Sequence, residues 1–262
     1  MTTCRHSDQP KSLMDGVEGT VSGALSISNL RHRSAVLKLL PFDGRQLVIA
    51  IFETIRHNYL ASNATANKDR SKQNWRWPSL QPRIAPLNRS PEVVIERAIA
   101  AACVALDRKD WANQIPVASG LVEGAGDGRR AIDLARRHGE NHFELIELKI
   151  ASDNPLYAAV EIVGYACLWL LARNDRPGRL CELLDAERID LTVLAPSNYY
   201  ARFPIAEIEK PIDEGVRALG SGMGVTMSFG FQKLDGSIEA GNLPTPQKLL
   251  DLLEQSRLAC VV

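Results

Sequence analysis

The run Ala131-Ile-Asp-Leu-Ala135 and, across the turn Arg137-His138-Gly139-Glu140-Asn141, the run Phe143-Glu-Leu-Ile-Glu-Leu-Lys-Ile150 decide the reading of this chain. Alternate residues of an extended strand share a face. Glu147 and Lys149 therefore project together, while Ile146, Leu148 and Ile150 go to the other side. Asp133 lies between Ile132 and Leu134 and points away from both. If the two runs pair as a hairpin, Asp133 approaches Glu147. Two carboxylates and a lysine then converge beside an apolar sheet, where unpaired charge is costly. A divalent cation suits that arrangement. Oxygens from Asp133 and Glu147, with the Leu148 carbonyl and water, match Mg²⁺. Such an ion polarises a phosphodiester and lowers the pKa of bound water. Lys149 would orient or activate the attacking water, or stabilise transition-state charge.

Upstream, Ser90-Pro91-Glu92 offers an N-cap, a proline at the first helical position and an early acid. Val94, Ile95, Ala98, Ile99, Ala102, Ala105 and Leu106 carry the helical stripe on to about Asp107. A short strand over Asn113 to Ala118 leads into a glycine-rich turn, Gly120 to Gly128. Downstream, a long helix is expected from Pro155 to Arg173 and a buried strand from Leu191 to Ala195. After these come peripheral elements: a helical stretch from Ile205 to Leu219 interrupted by Pro211, a strand from Gly224 to Leu234 and a helix from Pro246 to Leu258. Residues 91–262 thus read as an α/β layered domain.

Residues 1–90 read as a basic N-terminal extension. Residues 1–30 lack sustained periodicity and suggest a mobile tail or partly ordered arm. Gln46 to Leu60 forms an amphipathic helix, and Ala61 to Ser90 a proline-broken basic linker. The 262 residues carry 31 basic and 31 acidic side chains. The balance is segregated, with 13 Lys+Arg against 6 Asp+Glu in residues 1–90 and the remaining 18 against 25 in residues 91–262, or +7 and −7. Whole-chain neutrality therefore does not exclude a polyanionic partner.

The order of helix, hairpin, helix and strand, with Asp133 and Glu147-Leu148-Lys149, resembles the PD-(D/E)XK nuclease superfamily over roughly Pro91 to Ala195. The resemblance implies a restriction-endonuclease-like αβββαβ core, a mixed central sheet flanked by helices, here with an N-terminal helical and irregular extension. It also implies Mg²⁺ or Mn²⁺ dependence and phosphodiester hydrolysis. Asp133, Glu147 and Leu148 would be the metal ligands, and Lys149 would be catalytic beside Asp133 and Glu147. An acid on the first core helix completes such sites; Glu96 is the first choice and Glu92, one turn away on the same face, the second. Ile132 stands where the family's nominal proline would be. Glu161-Ile-Val-Gly-Tyr165 is similar to the Gln-x-x-x-Tyr element of the RecB-like exonuclease branch, with Glu in place of Gln. Arg129, Arg130 and Tyr165 are candidate nucleic-acid contacts, with Arg136 and Arg137 also bracketing the Asp133 strand.

Two functional classes follow: a Mg²⁺-dependent nuclease, with DNA named before RNA as substrate, and an inactive module on the same core that binds nucleic acid or a protein partner. An interaction or defence-system component whose N-terminal region recruits a partner is a looser third, and a homodimer stays open. Five cysteines without a C-x-x-C pair argue against a disulfide scaffold or zinc ribbon and for a reducing cytoplasm. The apolar run Tyr157 to Ala172 is expected to be too short for a membrane and contains Glu161. His138 and His142 flank a turn with no helix to bring them together and are weak zinc candidates. Trp75-Arg76-Trp77 suits either base stacking or docking of the linker.

Overall fold

The computed structural model describes residues 10, 12–61, 72–119 and 130–256. Its elements run α1 (Val17–Ala24), α2 (Arg33–Val36), α3 (Gly44–Ala61), α4 (Pro91–Ala105), β1 (Trp111–Pro116), β2 (Ala131–Gly139) and β3 (His142–Leu148). They continue through α5 (Pro155–Asn174), β4 (Arg188–Pro196), α6 (Ser197–Tyr200), α7 (Ile205–Gly222), β5 (Thr226–Leu234) and α8 (Pro246–Ser256). The sheet order is β1-β2-β3-β4-β5. β2 is antiparallel to β1 and β3, whereas β3, β4 and β5 run parallel. The α/β class and the mixed sheet between helices are therefore as expected. β5 is not peripheral as the sequence suggested: it pairs with β4 along its whole length.

Side-chain alternation on β3 divides the core in two. Phe143 and Leu145 enter the larger apolar cluster with α3 and α5, and Ile146 and Leu148 enter a second with α4 and α8. Ser90 caps α4, its hydroxyl accepting from the Val93 amide at 3.4 Å. Asn154 caps α5 the same way, accepting from the Tyr157 amide at 3.0 Å. α5 spans 20 residues, long and apolar enough to cross a membrane, which the sequence reading had denied it; 83% of its most apolar window is buried inside this protein.

The described part of residues 1–30 is not a tail. Leu13, Val17 and Val21 are buried in the larger cluster together with Ile51 and Ile55 of α3. No periodicity announced this, because their burial comes from docking on other elements and not from a long amphipathic helix. Trp75 is fully buried and Trp77 meets Phe143 edge-on at 4.9 Å, so these aromatics dock the linker against the sheet. The glycine-rich turn at 120–128 lies outside the described residues.

Pro211 lies inside α7 and does not break it. The carbonyl deprived of its amide partner belongs to Glu207, on the exposed side of the helix. α3 crosses α7 where Gly44 faces Gly215, and a Cβ on Gly215 would sit 2.3 Å from the Gly44 carbonyl oxygen and 2.7 Å from Val48 Cγ2. Backbone so close leaves no room for a methyl group. Gly215→Ala is expected to cost about 1–3 kcal/mol, seen as a lower urea midpoint with an unchanged m-value.

Candidate functional site

Asp133, Glu147 and Lys149 come together at the end of the β2–β3 hairpin remote from its turn. The ladder between these strands ends at Leu134↔Ile146. Beyond it the Leu148 amide finds the Asp133 carboxylate, donating to Oδ2 at 3.0 Å. Leu148 thus touches Asp133 through its amide. On the α5 side the Lys149 ammonium is shared, 2.8 Å from Glu147 Oε1 and 3.0 Å from Glu161 Oε2. Tyr165 donates to Glu161 Oε1 at 3.2 Å, and Arg130 Nη1 approaches the same oxygen at 3.9 Å.

Glu147 and Lys149 are only 4% and 8% exposed, so these charges interact through little solvent. Burial, then the neighbouring carboxylates of Asp133 and Glu161, push the Glu147 pKa well above the usual carboxylate range. Burial opposes ionisation of Glu161 too, but Lys149, a hydrogen bond with Glu147 and the charge on Arg130 together hold that carboxyl below its ordinary value. Lys149 itself, despite burial, is kept charged by Glu147 and Glu161. Burial raises Asp133 to about 6 against the pull of Lys149 and the Leu148 amide. Lys149 therefore stays protonated and Glu161 is favoured as the carboxylate, while burial and its acidic neighbours oppose ionisation of Glu147. The second Glu147 oxygen, Oε2, is buried and receives no hydrogen bond.

The structure separates the two helix acids that sequence left together. Glu92 Oε1 accepts from the amides of Ile150, Ala151 and Ser152 and from the Ser152 hydroxyl, at 3.1–3.4 Å. Despite burial, these bonds keep its pKa low and tie α4 to the β3–α5 loop. Glu96 is 2% exposed and accepts from Asn113 Nδ2 at 2.7 Å and Gln114 Nε2 at 3.0 Å. Burial, then the charge on Asp133, lift it to about 8 against those amides. Glu96 thus faces Asp133 from the α4 layer.

Other expected contacts fall elsewhere. Tyr165 is 4% exposed, a prop for Glu161 and not an outward contact, because α5 is buried on nearly every side. Arg136 is bound to Asp110 and Glu254, and Arg137 to Glu182 and the faces of Trp77 and Phe143. These two serve the structure, leaving Arg130 as the described arginine beside the site; Arg129 lies outside the described residues. The hairpin brings the His138 and His142 rings to 4.8 Å, at the opposite end of the sheet. Each Nε2 faces a carboxylate, Glu144 at 3.1 Å and Asp190 at 2.6 Å, around a cavity of about 260 Å³. A β-hairpin supplied the proximity for which the sequence reading sought a helix.

The donor chemistry fits a hard divalent cation, since the carboxylate oxygens of Asp133 and Glu147 are the ligands such an ion takes. Among the described residues no three His, Cys, Asp or Glu side chains gather as an all-protein cage. Mg²⁺ does not need one, being held by one or two carboxylates with water and substrate oxygens. No family model, curated protein or solved structure matches this chain.

Glu96 gives the site a pH signature. Its pKa is raised from 4.5 to about 8, so the folded chain holds a proton that the unfolded chain releases. Its contribution makes stability fall as pH rises through that window and level off above it. Glu96→Gln is expected to make the decline shallower, as read from urea midpoints between about pH 5 and about pH 8.

Proposed function

We propose that this protein is a Mg²⁺-dependent nuclease, of the PD-(D/E)XK kind that the sequence resembles, hydrolysing phosphodiester bonds in DNA. The observation that carries the reading is the buried convergence of Asp133, Glu147 and Lys149, where burial and neighbouring carboxylates oppose ionisation of Glu147 in the absence of a further cation. The element order α4-β1-β2-β3-α5-β4 supports it, being the αβββαβ order of that resemblance. So does the parallel run of β3, β4 and β5 beside the site. The buried free cysteines Cys103, Cys167 and Cys181 accord with a cytoplasmic location.

In this reading Asp133 and Glu147 hold Mg²⁺, or Mn²⁺. Bound there, the ion would supply Lewis-acid polarisation of the phosphoryl oxygen and a more acidic water. Lys149, kept protonated by its carboxylate neighbours, stabilises charge developing on the phosphoryl oxygens and is not the base. Glu161, braced by Tyr165, keeps that ammonium oriented. Glu96, protonated at neutral pH and held by Asn113 and Gln114, supports the site as a neutral neighbour of Asp133 on the α4 side. The exposed Arg83 and Arg89 before α4 are available to a phosphate backbone.

A second reading, a non-catalytic module binding nucleic acid or protein, draws on the Lys149 bridge, which closes the cluster without an ion. Chelation separates the two. Cleavage of labelled DNA is expected to need Mg²⁺ or Mn²⁺ and to fall at least about a hundredfold in Glu147→Ala and Lys149→Ala. Binding that persists in EDTA without cleavage favours the module. Calorimetry with Mn²⁺ gives a further check. Ligation requires both carboxylates ionised, and both Asp133 and Glu147 are raised, so uptake should release protons and tighten as pH rises; uptake independent of pH and buffer would argue against this site.

A further inference from the structure

Tyr199 carries another buried polar atom without a hydrogen-bond partner. The Tyr199 ring is 4% exposed, and its hydroxyl makes no hydrogen bond. It belongs to α6, which continues directly from β4, and the register Leu148↔Leu194 brings the end of β4 alongside Lys149. After burial, the charges that act most on this phenol are those of Lys149, Asp153, Arg33 and Glu147. Its neighbour Tyr200 provides the contrast. That hydroxyl donates to the carbonyls of Val193 at 2.7 Å and Gln232 at 3.1 Å, and its ring holds Tyr199 edge-on at 5.4 Å. Of two adjacent buried phenols, one is tied into the sheet and the other leaves its proton unused. Burial keeps that proton in place at neutral pH, so Tyr199 offers a donor and not an anion. A buried donor without an acceptor weakens the fold and calls for an explanation beyond packing.

We infer that Tyr199 is a substrate-binding residue, its hydroxyl donating a hydrogen bond to a non-bridging oxygen of the phosphodiester whose charge Lys149 offsets. This rests on the nuclease reading, which supplies the phosphodiester. An anionic oxygen is the strongest acceptor for such a donor. Lys149, the cation that acts most on this phenol, would draw one there.

Tyr199→Phe tests the assignment, because it keeps the ring and removes the hydroxyl. Without ligand the variant should melt a few degrees higher than the wild type, having lost an unsatisfied buried group. A single-stranded DNA oligonucleotide in Ca²⁺ should bind it about tenfold or more weakly, with Mn²⁺ uptake unchanged. A variant that binds the oligonucleotide as tightly as the wild type, or that melts lower, overturns the proposal while leaving the metal site intact. A wild type that takes up no Mn²⁺ and binds no oligonucleotide overturns the nuclease reading and the Tyr199 assignment with it.

Discussion

The Lys149 ammonium, shared between Glu147 and Glu161, is the interaction on which the site depends. β3 carries Glu144 and Glu147 into the interior and Lys149 follows at its end, where each charge requires a partner. Glu144 is met by the Thr192 hydroxyl at 2.6 Å and by His138. Glu147 depends on Lys149, and Lys149 needs Glu161 from the second turn of α5. Where α5 begins is therefore an electrostatic matter. Asn154 sets that start by capping the helix, and its amide donates to the Leu30 carbonyl at 2.8 Å. Arg33 braces the same loop through the carbonyls of Ala151 and Asp153. The N-terminal segment thus fixes a helix whose acid fixes the lysine.

What was legible in the sequence is what local periodicity determines. The alternation of Phe143 to Ile150 and the Ser90-Pro91 cap led to the right elements, and Asp133, Glu147 and Lys149 are brought together. The hairpin was read correctly in outline. Yet Asp133 reaches its neighbours by replacing a missing ladder acceptor for the Leu148 amide, a detail that depends on where the strands part. The distinction between Glu92 and Glu96 was not legible either, because both lie on one helical face. What separates them is non-local: the β3–α5 loop consumes one, and two amides of β1 take the other. Tyr199 carried no signal, since a tyrosine after an apolar strand reads as core until its hydroxyl is found without a partner. The two histidines were dismissed for want of a helix, although a tight hairpin also brings side chains a few residues apart together.

The segregation of charge between the first ninety residues and the rest acquires a different meaning once the packing is known. Several basic residues of the first part are already bound to protein. Arg31 meets Glu18 and Asp153, Arg56 meets Glu53, and Arg76 donates to the Gln114 carbonyl at 2.8 Å. A surplus of +7 counted along the chain is thus not a free field of that size. Arg31 reaches Asp153 at 3.7 Å and so joins the N-terminal layer to the acidic core, while the pairs with Glu18 and Glu53 lie within that layer. Nor can the layer be removed to isolate its electrostatics, because Leu13, Ile51, Ile55 and Trp75 would leave the core with it. Charge contributions to binding must be separated by single substitutions at exposed positions such as Arg83 and Arg89, where the side chain can change while the fold that aligns Lys149 stays in place.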